Sequence, residues 1–438
     1  MAHALSITDG TTTFSLSTTN CVLRQYTPAE PQAGEPTVTE TIDVMFYAAT
    51  VAAMRTAIDI LQALLDAARR RQAWGVGAVV YLLYQPDGDA TAWRSRIIDA
   101  RLEYNEDTLR AWGQAKLPAS LLIEREPDRW GSLTQISLTN VNGSNNTSGL
   151  TVNNHYTGSA SNYVQIAGAS VTGSLPSPVQ LELTNNTGGS VTYYEMLLSS
   201  NAFNDPANFT HLLQAETVLA SGGSAQSDAT CSNGQYVGWS FTGSNSQQYT
   251  LSAAFLQKAQ GYVFHLLARF RTVTARAFVR PHIYDATGTY ALWTGDEVEL
   301  PLISPAIADL GVVPLPPGGY SAAWGALRLY LAWRAEGAVG AVDTDYLAFF
   351  PANTFRRLRV LPAVANGATV VDDGIEGRAY TRASGAELAG VQPSGMPLLV
   401  WPGLAQRIYF AWSLADMSAP ITQTFSVKAW YRPRRYTF

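Results

Sequence analysis

The sequence predicts a mainly β protein that begins with an α+β unit and continues in β-sandwiches. One amphipathic helical stretch, Val51 to Gln72, stands in a chain of 438 residues. Elsewhere short alternating strands are separated by turns rich in Gly, Pro, Asn and Ser. The chain is longer than the roughly 250 to 300 residues at which a single core stops growing, so we expect several domains.

The α+β unit runs from Met1 to about Gly131. A strand with one better-buried face is predicted where mostly apolar residues alternate with Thr39, Thr41, Asp43 and Met45. The predicted buried face carries Val38, Glu40, Ile42, Val44 and Phe46. The helix follows directly, because apolar residues recur there at spacings of three and four: Val51, Met54, Ile58, Leu61 and Leu65.

Arg69, Arg70 and Arg71 close this helix, where positive charge is favoured by the helix dipole, and we prefer that interpretation to phosphate binding. Strands resume after the helix. A sheet with one helix on one face leaves its edges available to pair with a neighbouring copy of the chain.

The rest of the chain is predicted to form sandwiches. From Ser132 to Ser174 the composition shifts to Asn, Gly, Ser and Thr, and the segment Leu175 to Pro178 marks a boundary. Residues 175–360 hold eight candidate strands, the number of a jelly roll: Val179–Thr184, Thr192–Leu198, Tyr236–Phe241, Tyr262–Arg271, Ala275–Ile283, Glu297–Pro301, Ala326–Arg334 and Asp345–Phe350. A last strand-rich segment, 361–438, completes the chain.

The composition excludes several partners. Charged residues make up only 14% of the chain and the net charge is −5, so we expect neither nucleic acid nor an anionic membrane as a partner. The first residues lack a basic region followed by an apolar run, and no 18 uncharged apolar residues are consecutive. Cys21 and Cys231 are predicted to be lone thiols.

No motif predicts catalysis, and we expect no enzyme, metal or cofactor. The five histidines have neither metal nor catalytic spacing. Asp343 with Asp345 and Asp372 with Asp373 could ligate calcium, but turns and strand ends explain them better. Glu297 and Glu299 share one strand face, where solvated charge explains them better than a glycosidase pair.

Aromatic residues give the more specific hint. Rings on two hairpins could stack on sugar rings, although core packing competes for each of them: Tyr284, Tyr290, Trp293, Tyr330 and Trp333. The C-terminal segment combines arginine with aromatic residues, the types enriched at the energetic centres of protein interfaces. Its candidate interface residues are Trp430, Tyr431, Arg432, Arg434 and Arg435.

Several segments together resemble a known family. They are Leu121 to Pro127 followed by Trp130-Gly131, then Leu138 to Asn140, and a Trp401-Pro402-Gly403 turn before the final Tyr431 to Arg434. With the helix-plus-sheet start, this pattern resembles the distal tail protein of long-tailed bacteriophages, the hub at the tip of the tail tube.

The resemblance implies a belt-like domain over 1–131 that forms a ring, with six copies in the family. It also implies a galectin-like sandwich split between 132–174 and 361–438, interrupted by the jelly roll at 175–360. The implied partners are copies of the chain, the tail tube protein, tail-tip hub proteins and host surface glycans. The expected location is the virion tail, after synthesis in the host cytoplasm. A carbohydrate-binding receptor-recognition protein is the alternative, and a tail-borne polysaccharide hydrolase is a weaker one.

Overall fold

The computed structural model describes residues 4–18, 20–31, 34–90, 92–104, 116–139, 145–146, 149–155, 161–201, 212–317, 326–336, 340–421 and 423–436. Strands hold 55% of the structure and helices 12%, in several antiparallel sheets, which confirms the predicted mainly β class. The chain forms two compact units. The N-terminal unit comprises Met1–Thr134, Thr172–Leu175 and Arg432–Phe438, and the second comprises Gln135–Val171 and Pro176–Tyr431.

The N-terminal unit contains a nine-stranded sheet. Seven antiparallel strands follow one another across it in the order Thr13–Ser15, Ala4–Thr8, Tyr81–Gln85, Trp93–Glu103, Lys116–Arg125, Val38–Tyr47 and Cys21–Tyr26. Two short strands, Arg129–Trp130 and Arg434–Arg435, pair beside Trp93–Glu103. The predicted apolar phase of Val38–Tyr47 is the buried one.

One helix, Val51–Trp74, packs on this sheet. It begins at Thr50, whose side chain accepts from the amide of Ala53, and it ends at Gly75 with a left-handed φ of 69°. Its buried stripe repeats at helical spacing and fills the core of the unit: Met54, Ala57, Ile58, Leu61, Leu64, Leu65 and Ala68. The helix therefore extends two residues beyond its predicted end at Gln72.

The second unit contains two sandwiches, and the first is discontinuous in sequence. We call it the split sandwich. One of its sheets has seven strands: Asn145–Asn146, Leu138–Thr139, Tyr163–Ile166, Gln406–Leu414, Tyr193–Asn201, Arg356–Val360 and Val391–Gly395. The other has eight: Leu150–Val152, Phe425–Tyr431, Ser177–Asn185, Thr369–Asp373, Arg378–Ala383, Ala386–Leu388, Leu399–Val400 and Thr134–Gln135.

The inserted sandwich occupies the chain between Leu212 and Pro351. Its seven-stranded sheet contains Ser224–Ser227, Gln235–Gly238, Gly340–Pro351, Val263–Val273, Ala306–Pro314, Leu212–Gln214 and Ser240–Phe241. Its six-stranded sheet contains Leu219–Ser221, Ser244–Leu251, Leu327–Ala335, Ala277–Tyr284, Ala291–Thr294 and Val298–Glu299. Two short helices, Ala215–Val218 and Ala253–Ala259, complete it.

These boundaries differ from the predicted ones. Strands Ser177–Asn185 and Tyr193–Asn201 pair with strands of the split sandwich, so the insertion begins near Leu212 and not at residue 175. Arg356–Val360 also belongs to the split sandwich, and Arg434–Arg435 belongs to the N-terminal unit. The alternating pattern of a strand identifies its buried face but not its partner, which explains the difference.

The two sandwiches share an apolar junction. Its buried residues come from both: Tyr163, Leu197, Leu212, Leu267, Ile307, Tyr346, Ala348, Phe350, Phe355, Tyr409, Ala411 and Ala419. Hydrogen bonds also cross it: Arg269 Nε donates to the Ala419 carbonyl at 3.1 Å, and the Tyr346 hydroxyl donates to the Asn154 carbonyl at 3.1 Å.

Within the described residues, no helix has the length and hydropathy needed to cross a bilayer.

Candidate functional sites

The solvent side of the six-stranded sheet brings two predicted stacking residues together. Along Leu327–Ala335 the leucines and Trp333 point into the core, and Arg328 and Tyr330 take the opposite face. Tyr284, on the neighbouring strand, lies beside Tyr330 with ring centroids 4.3 Å apart and planes inclined by 37°. We call this surface, with Arg280, His282, Tyr284, Arg328 and Tyr330, the tyrosine face.

A tight turn holds this pair in place. The Asp285 carboxylate accepts from the amides of Thr289 at 2.8 Å and Tyr290 at 3.0 Å. Hydrogen bonds from Thr287 and from the backbone lower the pKa of Asp285. Gly288 has a φ of 73°, and a Cβ there would lie 2.4 Å from the Tyr330 hydroxyl. Glycine therefore lets the turn approach Tyr330 closely.

The structure corrects two of the predicted stacking residues. Trp333 is 1% exposed and packs edge-on against Phe270 inside the core, so it cannot contact a ligand. Trp293 is paired with the inward-facing Ile283 and packs partly buried against the same core. Tyr290 is 71% exposed at the turn. Because Trp333 is three positions after Tyr330, an odd number, a strand must place the two side chains on opposite faces.

Sequence reasoning missed the charged residues of the tyrosine face. Arg280, His282 and Tyr284 alternate along one strand, and Arg328 and Tyr330 alternate along the next. Burial and the charge of Arg280 lower the pKa of His282, whose Nδ1 lies 3.0 Å from the Thr294 hydroxyl. The sequence did allow this prediction, because Arg280 and His282 are an even number of positions from Tyr284, and Arg328 is two positions from Tyr330.

The acidic residues near the tyrosine face are held by arginine. Glu299 contacts Arg276 at 2.6 Å and Glu297 contacts Arg334 at 2.7 Å. Both arginines also contact Glu336, at 2.6 and 2.9 Å. Their hydrogen bonds lower the pKa of Glu297 and of Glu299, so both carboxylates are ionised surface charges.

The candidate calcium ligands also face arginine side chains. Asp343 contacts Arg271 at 3.0 Å, Asp345 contacts Arg269, and Asp372 contacts Arg356 at 2.8 Å. A guanidinium in that position repels a cation and occupies the carboxylate oxygens. Over the described ranges, no group of three or more His, Cys, Asp or Glu residues could hold a metal.

Cys21 and Cys231 are both buried, and burial raises the pKa of each thiol to about 12.

A cleft of about 580 Å³ in the second unit contains a different polar group. Arg357 contacts Asp309 at 2.8 Å and Glu195 at 3.4 Å, and His265 Nδ1 lies 3.1 Å from Asp309. Burial raises the pKa of Glu195; burial also acts to raise that of Asp309, but His265 and other partners lower it overall. Arg357 joins the two carboxylates directly, so this group is an internal ion network.

The predicted C-terminal interface is largely engaged within the chain. Tyr431 is 1% exposed in the split-sandwich core, and Trp430 is a partly exposed residue of the same strand. In the N-terminal unit, Arg434 Nε donates to Asp128 at 2.6 Å, and Arg435 lies over the Trp93 ring at 3.4 Å. Arg432 donates to the Gly131 carbonyl at 3.2 Å. The three arginines therefore hold the end of the chain within the N-terminal unit.

The N-terminal unit has its own candidate surface, the edge strand Cys21–Tyr26. Within the described residues, the only strand that pairs with it is Val38–Tyr47; Cys21 bridges to Thr18 on the outer side, and Val22 is 41% exposed. A buried cluster holds its end, because Tyr26 donates to Glu40 at 2.8 Å. Arg125 and Arg129 contact the same carboxylate at 2.5 and 2.9 Å. The edge is thus a fixed row of backbone groups.

Comparison with known proteins gives only weak similarities. No family model matches the chain, and no curated protein matches it significantly. Among solved structures, a chain of the phage P2 baseplate in its activated conformation with Ca is similar over 94% of this chain and 98% of its own, at 9% identity and TM-score 0.20.

Two further solved structures match at comparably low scores. A carbohydrate-binding module of the β-sandwich superfamily covers 62% of this chain and 91% of its own, at 8% identity and TM-score 0.23. Tailspike protein 4 of bacteriophage CBA120 matches 34% of this chain but only 20% of its own length, at 15% identity and TM-score 0.21. At these scores the similarities assign neither a family nor a function.

Proposed function

We propose that this chain is a structural protein of a bacteriophage tail that forms an oligomeric ring at the distal end. In that role it joins the tail tube to the tail-tip or host-recognition apparatus, with the N-terminal unit as the ring-forming part. The observation that carries the proposal is the edge strand of the helix-backed sheet, Cys21–Tyr26, which from Val22 onward has no strand on its outer side among the described residues.

Three features of this edge support self-association. Unpaired edge strands expose backbone donors and acceptors that another copy can satisfy. Val22 adds an exposed apolar side chain to the edge, and the Glu40 cluster fixes the strand's C-terminal end. A repeated head-to-tail contact of this kind closes into a ring when its rotation angle divides a full turn. The discontinuous sandwich, with another sandwich inserted, also supports the proposal, because the family resemblance implies an interrupted sandwich.

The test is the mass of the purified full chain by light scattering. We expect a closed oligomer, six copies of the 47.3 kDa chain if the family number holds. Val22→Lys places a charge on the edge and should dissociate the ring. Val312→Lys is the matched control, because Val312 is 46% exposed on Ala306–Pro314, an edge strand of the inserted sandwich.

A persistent monomer at high concentration would overturn the ring. Dissociation by Trp74→Ser but not by Val22→Lys would keep the ring and move its contact to the end of the helix, where Trp74 is exposed.

The tyrosine face favours a second function, recognition of a glycan by the inserted sandwich. Adjacent tyrosine rings on a sheet provide the flat apolar surface on which a sugar ring stacks. Binding of host-surface glycans should then be lost in Tyr330→Ser. Trp430→Ser is the control, since Trp430 is a partly exposed aromatic residue on a strand of the split sandwich.

A further inference from the structure

The tyrosine face places an arginine near each end of the tyrosine pair. Strand pairing places Arg328 opposite Tyr284, and Tyr330 opposite His282. Arg280 precedes His282 by two residues on the same face, opposite Ala332. One arginine therefore lies beside Tyr284 at one end of the tyrosine pair. The other lies past His282 at the opposite end, roughly 7 Å further along the strand at the usual rise per residue.

Both arginines differ from two nearby arginines, Arg276 just before the strand Ala277–Tyr284 and Arg334 on Leu327–Ala335. Arg276 and Arg334 each contact two glutamates. Among the residues that the structure describes, Arg280 and Arg328 form no ion pair within 4.0 Å, and Arg328 donates to the hydroxyl of Thr250 at 3.3 Å. Glu297 is close enough to Arg280 for its pKa to be lowered by that charge, but its direct partner is Arg334. The tyrosine pair is thus flanked by positive charge that no carboxylate of the described residues contacts.

A neutral sugar would leave the guanidinium groups of Arg280 and Arg328 without an anionic partner, whereas an acidic sugar would neutralise their charge. The guanidinium group binds carboxylate and phosphate oxygens through two parallel hydrogen bonds. We propose that the tyrosine face binds an anionic saccharide, with a sugar ring stacked on Tyr284 and Tyr330 and its acidic groups held by Arg280 and Arg328. This inference rests on the glycan-recognition function proposed above and adds the chemical class of the glycan.

The experiment is isothermal titration of the full chain with three probes. They are an oligogalacturonide, a neutral galactose oligosaccharide of equal length, and a glycerol phosphate polymer. We expect at least tenfold tighter binding of an acidic probe than of the neutral one, weakened by salt. The two acidic probes distinguish carboxylate from phosphate as the source of the charge, and binding of either supports the proposal.

The double variant Arg280→Gln with Arg328→Gln should lose at least tenfold in affinity for the acidic probe. Arg276→Gln is the control, since Arg276 immediately precedes the strand Ala277–Tyr284 but its charge is neutralised by glutamates. Unchanged thermal unfolding of each variant establishes that the fold is intact.

Each other outcome counts against the inference. Equal or tighter binding of the neutral probe would overturn it and leave glycan recognition standing. Acidic binding that persists in the double variant would place the ligand elsewhere on the chain. Binding of none of the probes would overturn the inference, and failure with a wide panel of glycans would remove glycan recognition as well. A shift to a larger particle in the wild type but not in the double variant would identify a second copy as the occupant.

Discussion

Two buried arginine–carboxylate clusters, one in the N-terminal unit and one in the inserted sandwich, differ in the number of cations. Glu40 is contacted by two arginines and by Tyr26. Burial acts to raise its pKa, but the hydrogen bond and charge of Arg125 and the charge of Arg129 lower it overall. Asp345 has one arginine, Arg269, and burial raises its pKa to about 7.

The difference shows that burial alone does not decide the charge of a carboxyl group. Two guanidinium groups together with the Tyr26 hydroxyl keep Glu40 ionised, whereas Asp345, with one guanidinium, titrates near neutrality. The Glu40 cluster also holds Tyr26 at the end of the edge strand that we propose for ring formation. The Asp345 cluster reaches the split sandwich through Arg269, which donates to the Ala419 carbonyl.

The largest expected effect comes from removing the carboxylate charge in each cluster. Glu40→Gln leaves two buried arginines without an anion and should cost about 3–5 kcal/mol of unfolding free energy. Asp345→Asn should cost clearly less at pH 7, because the protonated acid is already populated there. Amide hydrogen exchange, followed separately in peptides of each region, measures both. Asp59→Asn on the exposed helix surface is the control and should change nothing. Equal losses in the two clusters would contradict the comparison.

The next largest expected effect compares a core residue with a surface residue of the same strand, by the unfolding free energy that each substitution costs. Trp333→Ala should destabilise the inserted sandwich by about 3–5 kcal/mol, since it leaves a large cavity. Tyr330→Ala, three residues away on the solvent side, should cost much less. Urea unfolding followed by tryptophan fluorescence and by hydrogen exchange distinguishes them. A larger loss for Tyr330→Ala would contradict the assignment of the two faces.

The same alternation shows what sequence could and could not predict. The buried phase of Val38–Tyr47 and the helix from Val51 follow from local periodicity, and both are observed. The same periodicity also predicts that Tyr330 and Trp333 lie on opposite faces of their strand. It could not reveal that Ser177–Asn185 pairs with Phe425–Tyr431, a strand distant in sequence, because strand partners are set by tertiary packing. Burial of Arg125 and Arg129 beside Glu40 likewise depends on the folded sheet.

The two clusters should respond to pH with opposite signs. Glu40 has a folded-state pKa below its unfolded value of 4.5, so its contribution is present above that pH and is lost as the pH falls. Asp345 has a folded-state pKa of about 7 against 3.8 unfolded, so its contribution declines as the pH rises from about 4 to 7.

The measurement is the unfolding free energy of wild type minus that of Glu40→Gln, or of Asp345→Asn, between pH 3 and 8. Slopes of the same sign would contradict the account of the two clusters.

The smallest expected effect comes from the helix caps. The Thr50 hydroxyl accepts from the Ala53 amide at 3.1 Å, and the Ser252 hydroxyl accepts from the Phe255 amide at 3.2 Å. Replacing either by Ala should cost about 1 kcal/mol. Thr50→Ala should reduce protection in the long helix only, and Ser252→Ala in Ala253–Ala259 only. Hydrogen exchange measures the protection of both helices. Thr56→Ala, at an exposed position within the long helix, is the control. Loss of protection in both regions from one substitution would contradict their independence.

The contact between copies decides whether the N-terminal unit builds a ring. Electron cryomicroscopy of the purified full-length oligomer can locate the edge strand in every copy. We expect backbone density that connects Cys21–Tyr26 of one copy to the N-terminal unit of its neighbour around a closed ring. A map in which that strand and the rest of the N-terminal unit face solvent, without contact to another copy, would contradict the proposal.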